Sequence, residues 1–302
     1  MMHDEHFPDS RIEGLMRPAL NDHKPGRRSK IKKSSAQTAN DPVWQAIRDE
    51  VGHDVEHESM LGSFLHATIL NHETLEDALS FHLAGKLGCH SLSEMVIREV
   101  FDEALESSPP IGQAIRADLR AVRERDPAST SFSHPFLYFK GFHALQSYRV
   151  AHWLWQQDRR SLALFLQNRI SQVFAVDIHP AARIGQGILI DHGTGVVIGE
   201  TAVVEDDVSM LHDVTLGGTG KETGDRHPKV RKGVLIGTGA KILGNVEIGT
   251  GAKIGAGSVV LTSVKPHCTV AGVPARVVGK PCEHDPALTM DHRLSPDAGG
   301  GI

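Results

Sequence analysis

Aliphatic residues recur at every sixth position through much of the C-terminal half of the chain. Ile178, Ile184, Ile190 and Val196 form one series, and Ile198, Val204, Met210 and Leu216 a second. Ile236, Ile242, Ile248, Ile254 and Val260 form a third. A period of six fits neither an α-helix nor a strand that alternates at two. It fits the hexapeptide repeat of a parallel β-helix, in which each hexapeptide makes one face of a triangular coil. The aliphatic residue points into the prism, a small residue turns the corner, and coils stack ~4.8 Å apart. Gly237, Gly239, Gly255 and Gly257 stand at the matching offsets. A glycine-rich linker would carry the small residues but not the aliphatic period.

The third series begins 20 residues after Leu216 rather than six. The insertion, 217–233, reads GGTGKETGDRHPKVRKG, a polar loop protruding from a regular solenoid, and such loops usually bind something. Upstream, residues 41–175 read as helices. Asp41-Pro42 supplies a cap and a first-turn proline before Trp44, Ile47, Val51 and Val55 at helical spacing. Ser91 and Glu94 have the spacing of a capping box, and Ile111, Ile115, Leu119 and Val122 form another stripe. These stripes need partners, so the region should pack on itself and on a second subunit. Residues 1–40 are polar with a basic run from Lys24 to Lys33, and read as a solvated, disordered extension. Residues 282–302 read as a flexible tail. The expected fold is thus α+β: an N-terminal multi-helix domain, then a parallel β-helix over 176–281.

Composition narrows the function classes. The 302 residues carry a net charge of −5 with 19 His counted neutral, which gives no general attraction to nucleic acid or anionic lipid. No run approaches the ~20 apolar residues of a membrane span. The N-terminal MMHDEHFPDS lacks the apolar core of a secretory signal. Cys89, Cys268 and Cys282 form no CxxC pair, which argues against a disulfide framework or a zinc finger. A cytoplasmic protein is expected.

The chemistry concentrates around His192, which follows Asp191 in Ile190-Asp191-His192-Gly193-Thr194-Gly195, outside the aliphatic series. An exposed imidazole there suits general base work near neutrality. Asp177 lies 15 residues earlier, close to one coil of 18, and could orient the ring from a neighbouring coil. The loop adds Arg226, whose planar fork matches a carboxylate, and His227. His192, His212 and His227 as a zinc set is the alternative, but no local ligand spacing supports it.

At these residues the sequence resembles the serine acetyltransferases of cysteine biosynthesis. The resemblance rests on FHALQSYRVAHWLW (142–155), VDIHPAARIG (176–185), DHGTGVVIGETAV (191–203), VTLGGTGKETGDRHPK (214–229), GAKILGNVEIG (239–249) and AGVPARVVGKP (272–281). It reaches into the helical region through RERDPA, residues 123–128, and runs from about 41 to 281. DHGTG and GGTGK are common among hexapeptide acetyltransferases, whereas GDRHPK together with RERDPA is much more specific.

The resemblance implies a left-handed β-helix and transfer of acetyl from acetyl-CoA, a co-substrate, to the hydroxyl of L-serine, with no metal. His192 would be the general base and Asp177 would orient it. Arg226 and His227 would hold the serine carboxylate, and Asp126 and Asp191 the amino group. Acetyl-CoA would lie between coils near Gly218, Thr219, Thr238 and Ala256, with Lys253 close by. Thr238 stands where relatives often have Ala, and could narrow that groove. No cysteine lies in a matched motif, so direct transfer is expected rather than a covalent intermediate. The resemblance also implies a dimer of trimers with sites between prisms, feedback by L-cysteine in the serine pocket, and binding of O-acetylserine sulfhydrylase through the C-terminal Ile302. Two other functions share parts of this pattern. An acetyltransferase for a sugar hydroxyl would use His192 but leaves Asp126, Asp191 and Arg226 without a task. A scaffold with a decayed site is opposed by the intact His192, Asp177 and Arg226.

Overall fold

The computed structural model describes residues 41–220, 223–279 and 285–294. The expected extension 1–40, Cys282 and Ile302 lie outside the described residues. Helix α1 (Pro42–His57) starts at the expected cap, with Asp41 accepting from the Trp44 backbone N at 3.2 Å. Arg116 then joins that aspartate to Glu76, each at 2.6 Å, so the cap is tied to two later helices. An irregular helical run (Ser59–Leu61, Gly62–Leu65, His66–Leu70) leads into α2 (Leu75–Leu87) and α3 (Glu94–Ser107). Then come α4 (Pro109–Arg125), α5 (Ser133–Tyr138), α6 (Lys140–Gln156) and α7 (Arg160–Phe174). The capping box does not form. Ser93 is the N-cap of α3, and its buried stripe is Ile97, Phe101, Ala104 and Leu105, while Met95 and Val96 face out.

The solenoid has three sheets. Sheet A contains β1 (Val176–Ile178), β4 (Val196–Ile198), β7 (Thr215–Gly217), β10 (Lys241–Leu243) and β13 (Val259–Val260). Sheet B contains β2 (Arg183–Ile184), β5 (Val203–Val204), β8 (Lys229–Val230) and β11 (Glu247–Ile248). Sheet C contains β3 (Leu189–Ile190), β6 (Ser209–Met210), β9 (Leu235–Ile236), β12 (Lys253–Ile254) and β14 (Thr269–Gly272), closed by the antiparallel β15 (Ala275–Val277). Every residue of the three aliphatic series is buried except the half-buried Ile184.

Coil length varies, and the variation places the site. Ile198 pairs with Leu216 and Ile242 with Val260, coils of 18 residues. Ile178 pairs with Ile198, a coil of 20, whose two extra residues fall between Ile190 and Ile198. Leu216 pairs with Ile242, a coil of 26 that carries the loop. That loop is shorter than expected. Val230 pairs with Val204 and Ile248 and is fully buried, so the repeat resumes at Lys229 and the loop is 218–228 rather than 217–233.

The helices are fastened to the outside of the first coil. Arg149 donates to Asp118 at 2.6 Å and to the Gly185 carbonyl at 2.8 Å, and Asp118 accepts from the Ile188 N at 2.9 Å. Arg125 donates to the Gly187 carbonyl and to Ser209 Oγ, and the Tyr148 hydroxyl donates to the Ala182 carbonyl. The outer face of sheet C carries Leu189, Ser209, Leu235 and Lys253 in register, and all four are buried. Part of the expected flexible tail supplies cover. In α8 (Pro286–Thr289) Pro286 and Ala287 are buried; Ser209 Oγ donates to the Ala287 carbonyl, and Lys253 Nζ to the Arg293 carbonyl at 2.6 Å. Residues 285–294 are therefore packed, since they supply the acceptors that the buried Ser209 and Lys253 of this row need. Among the described residues no helix is long and apolar enough to cross a membrane.

Candidate active site

The two extra residues of the first coil form the turn between sheets C and A. Gly193 N donates to the Asp191 carbonyl at 2.7 Å, and Thr194 N to the His192 carbonyl at 2.9 Å. His192 takes the left-handed conformation, φ 57°, with Gly193 and Gly195 also at positive φ. The bulge pushes the His192 side chain out to 72% exposure. Helix α6 begins directly against it: a Cβ on Gly141 would lie 2.0 Å from the Ile190 carbonyl oxygen, so only glycine lets the helix start there. Lys140 Nζ donates to Thr194 Oγ1. The His192 ring meets His212 edge-on, centroids 5.6 Å apart, and its Nε2 lies 3.8 Å from Asp191 Oδ2, beyond hydrogen-bonding distance. The same corner continues up the prism through His212, Thr238 and Ala256, which follow the paired residues Met210, Ile236 and Ile254.

Among the described residues no hydrogen bond or ion pair joins Asp177 to the His192 ring. With a first coil of 20, Asp177 pairs with Val197 from the middle of β1, the edge strand of sheet A, and its Oδ1 accepts from Gln167 Nε2 at 2.7 Å. Lys253 is buried beneath residues 285–294, not on the corner. Asp126 ends α4 and accepts from Ala128 N at 2.8 Å. No hydrogen bond or ion pair among the described residues joins it to Asp191, Arg226 or His227.

Arg226 and His227 sit at the other end of sheet A, where it turns into sheet B. The His227 ring lies flat on Gly199, with a Cβ there only 2.1 Å from Cδ2 and Nε2. Gly218 lies beside the same ring and Thr219 beside Gly244. Arg226 Nη2 donates to Glu200 Oε2 at 2.7 Å, and Nη1 to the Gly224 carbonyl at 3.1 Å. That hydrogen bond holds the Glu200 carboxyl below the usual carboxylate range. Burial, then the Arg226 charge, lowers the pKa of His227. The three histidines of the alternative zinc set are divided between the corners. Among the described residues no cluster of three metal-ligating side chains forms.

Two family models match, serine acetyltransferase N-terminal over residues 43–147 and bacterial transferase hexapeptide over 227–262. The chain is 58% identical to the serine acetyltransferase of Salmonella typhimurium over 253 residues, covering 84% of this chain and 93% of that one. The chain belongs to the serine acetyltransferase family. A crystal structure of the Brucella abortus serine acetyltransferase in complex with coenzyme A is 53% identical, with a TM-score of 0.80 over 82% of this chain and 99% of that one. A serine acetyltransferase in complex with cysteine is 57% identical, with a TM-score of 0.82 over 83% of this chain and 98% of that one. As a serine acetyltransferase, the chain carries supporting residues that the sequence analysis did not single out: Gly141, Gly199, Glu200 and Thr201. Three of them, Gly199, Glu200 and Thr201, stood in the GETAV segment, within reach of notice, but nothing in a linear sequence brings residue 200 to residue 226.

Proposed function

We propose that the protein transfers acetyl from acetyl-CoA to L-serine at a site completed by two protomers, giving O-acetyl-L-serine and coenzyme A as the first step of cysteine biosynthesis from serine. One observation carries the two-protomer reading. His192, Thr238 and Ala256 line one corner of sheet A, whereas Arg226, His227, Gly218 and Thr219 line the opposite corner. A trimer that sets the first corner of one prism against the second corner of the next brings base, serine cradle and coenzyme groove together. The helical domain would then join two trimers.

At such a junction His192 removes the serine hydroxyl proton as that oxygen attacks the thioester carbonyl. The tetrahedral intermediate collapses, the carbon–sulfur bond breaks, and the imidazolium returns its proton to the departing thiolate. Arg226 and His227 hold the serine carboxylate, and Asp126 and Asp191 the ammonium. Asp177 serves as the orienting carboxylate once Gln167 gives it up. Its neighbour Val176 already lies against Gly193, 3.2 Å from where a Cβ would be. Acetyl-CoA lies along Gly218, Thr219, Thr238 and Ala256, with Lys253 contributing when residues 285–294 lift from it. L-Cysteine has the same carboxylate and ammonium and competes for the same cradle. Ile302 is the anchor for O-acetylserine sulfhydrylase, and deleting it should abolish that complex with acetyl transfer kept. The cysteines, without a pairing motif, suit the cytoplasm.

Mixing tests the shared site. The variants His192→Ala and Arg226→Ala should each be nearly inactive. Unfolded and refolded together in equal amounts, they should recover about a quarter of wild-type activity, the share of junctions that pair two intact corners. No recovery, with both variants refolded and co-assembled, would place the site within one protomer.

A further inference from the structure

His227 is held through one ring nitrogen. Its Nδ1 lies 3.2 Å from the backbone N of Thr201 and 2.9 Å from Thr201 Oγ1. A backbone amide can only donate, so Nδ1 is the acceptor and the proton of the neutral ring is on Nε2. The hydroxyl ties the peptide beside it. Thr201 Oγ1 accepts from the backbone N of Arg226 at 3.0 Å and of His227 at 3.1 Å. With both lone pairs engaged, its own proton is shared between Nδ1 and the Asp225 carboxylate, which also hydrogen-bonds this side chain. Adding a proton to Nδ1 would turn an N–H toward the Thr201 N–H, so the arrangement favours the neutral ring. The lowered pKa of His227 agrees. Nε2 takes no hydrogen bond among the described residues and lies between Gly199 and Gly218.

We propose that Thr201 is a positioning residue for serine recognition: it locks His227 as a neutral Nε2–H donor aimed at the serine carboxylate, and it pins the Arg226–His227 peptide. This rests on the reading that Arg226 and His227 hold that carboxylate. The cradle then consists of one permanent cation, Arg226, and one directed neutral donor. The donor is set by the tautomer rather than by charge.

The test separates the two layers with steady-state kinetics on the full chain. Thr201→Val keeps the shape but leaves two backbone N–H groups without an acceptor, and should raise the serine KM about 10–100-fold. The acetyl-CoA KM should move less than about twofold, kcat should fall less than the serine KM rises, and Thr201→Ser should restore the wild-type serine KM. An unchanged serine KM in Thr201→Val, alongside a raised one in Arg226→Ala, overturns the proposal and leaves the cradle standing. An unchanged serine KM in both Arg226→Ala and His227→Ala overturns the cradle itself. Should Thr201→Val fail to fold, a second pair decides. His227→Gln puts an amide N–H where Nε2 stands and His227→Asn puts one where Nδ1 stands. The proposal requires tighter serine binding in the Gln variant, and equal or reversed affinities overturn it.

Discussion

The two corners of sheet A are built on opposite principles. At the first, His192 rides on a two-residue bulge, in a left-handed conformation, 72% exposed, its ring making, among the described residues, an edge contact with His212 and a distant approach to Asp191. At the second, His227 is buried, and its backbone, its Nδ1 and its neighbour Arg226 are all hydrogen-bonded to Thr201 and Glu200. The difference matches the tasks assigned to them. A base must trade its proton with substrate and leaving group, so the ring nitrogen that does so must be free of prior partners. A recognition group gains from being immobile before the ligand arrives, because less freedom is lost on binding.

The largest expected effect breaks the comparison at its first corner. His192→Ala should lower kcat roughly 10²–10⁴-fold. The melting temperature should stay near wild type, since the side chain removed is exposed and makes no hydrogen bond among the described residues. Near-normal turnover in the folded variant would show that the free corner does not supply the base.

A second prediction separates the corners from the helices that carry them. His82 and His143 are buried in the helical core with rings 5.1 Å apart, donating to the carbonyls of Leu137 and Phe136. Burial, with the Lys86 charge adding to it, lowers the pKa of His82 from 6.5 to about 4. The unfolded chain therefore binds this proton first as pH falls. The stability is present in full above pH 6.5 and is lost progressively toward pH 4, by about 3 kcal/mol from His82 alone. The inward positions of the prism are aliphatic. Hydrogen exchange followed from pH 7 to 4.5 should thus show α2 and α6 opening before the solenoid strands, and simultaneous opening would contradict the division.

The smallest effect sharpens the second corner. In Gly199→Ala the new methyl would meet the His227 ring at 2.1 Å and displace it. The serine KM should rise about tenfold, the loss of one directed hydrogen bond to a charged group, with the acetyl-CoA KM nearly unchanged. Equal changes in both constants would mean that the corner binds coenzyme as much as serine.

Periodicity in the chain carried much of this. The six-residue spacing set the prism and the inward face of each strand, because side-chain direction in a repeat is a local property. The shift of two residues between Val196 and Ile198 was also visible, and it marks the bulge beneath His192. The residue types of the site were legible too: an imidazole outside the aliphatic series and a planar cation in a polar loop.

Proximity was another matter. The 15-residue spacing from Asp177 to His192 was counted against a coil of 18, whereas the first coil has 20 residues and pairs Asp177 with Val197, because one pair of extra residues shifts everything counted across it. Val230 was taken for loop although it lies six residues before Ile236, and only its pairing with Val204 shows it to be a rung. Residues 285–294 look solvated in the sequence, but the row on sheet C that they cover is assembled from four strands far apart in the chain. Thr201 shows the limit most plainly: its hydroxyl is an ordinary one until the 26-residue coil folds residues 226 and 227 onto it. The sequence by itself determined which faces are apolar and which chemistries are present, since both depend on neighbours a few residues away. The tertiary structure alone decided which groups meet, because that depends on every residue counted around the coils between them.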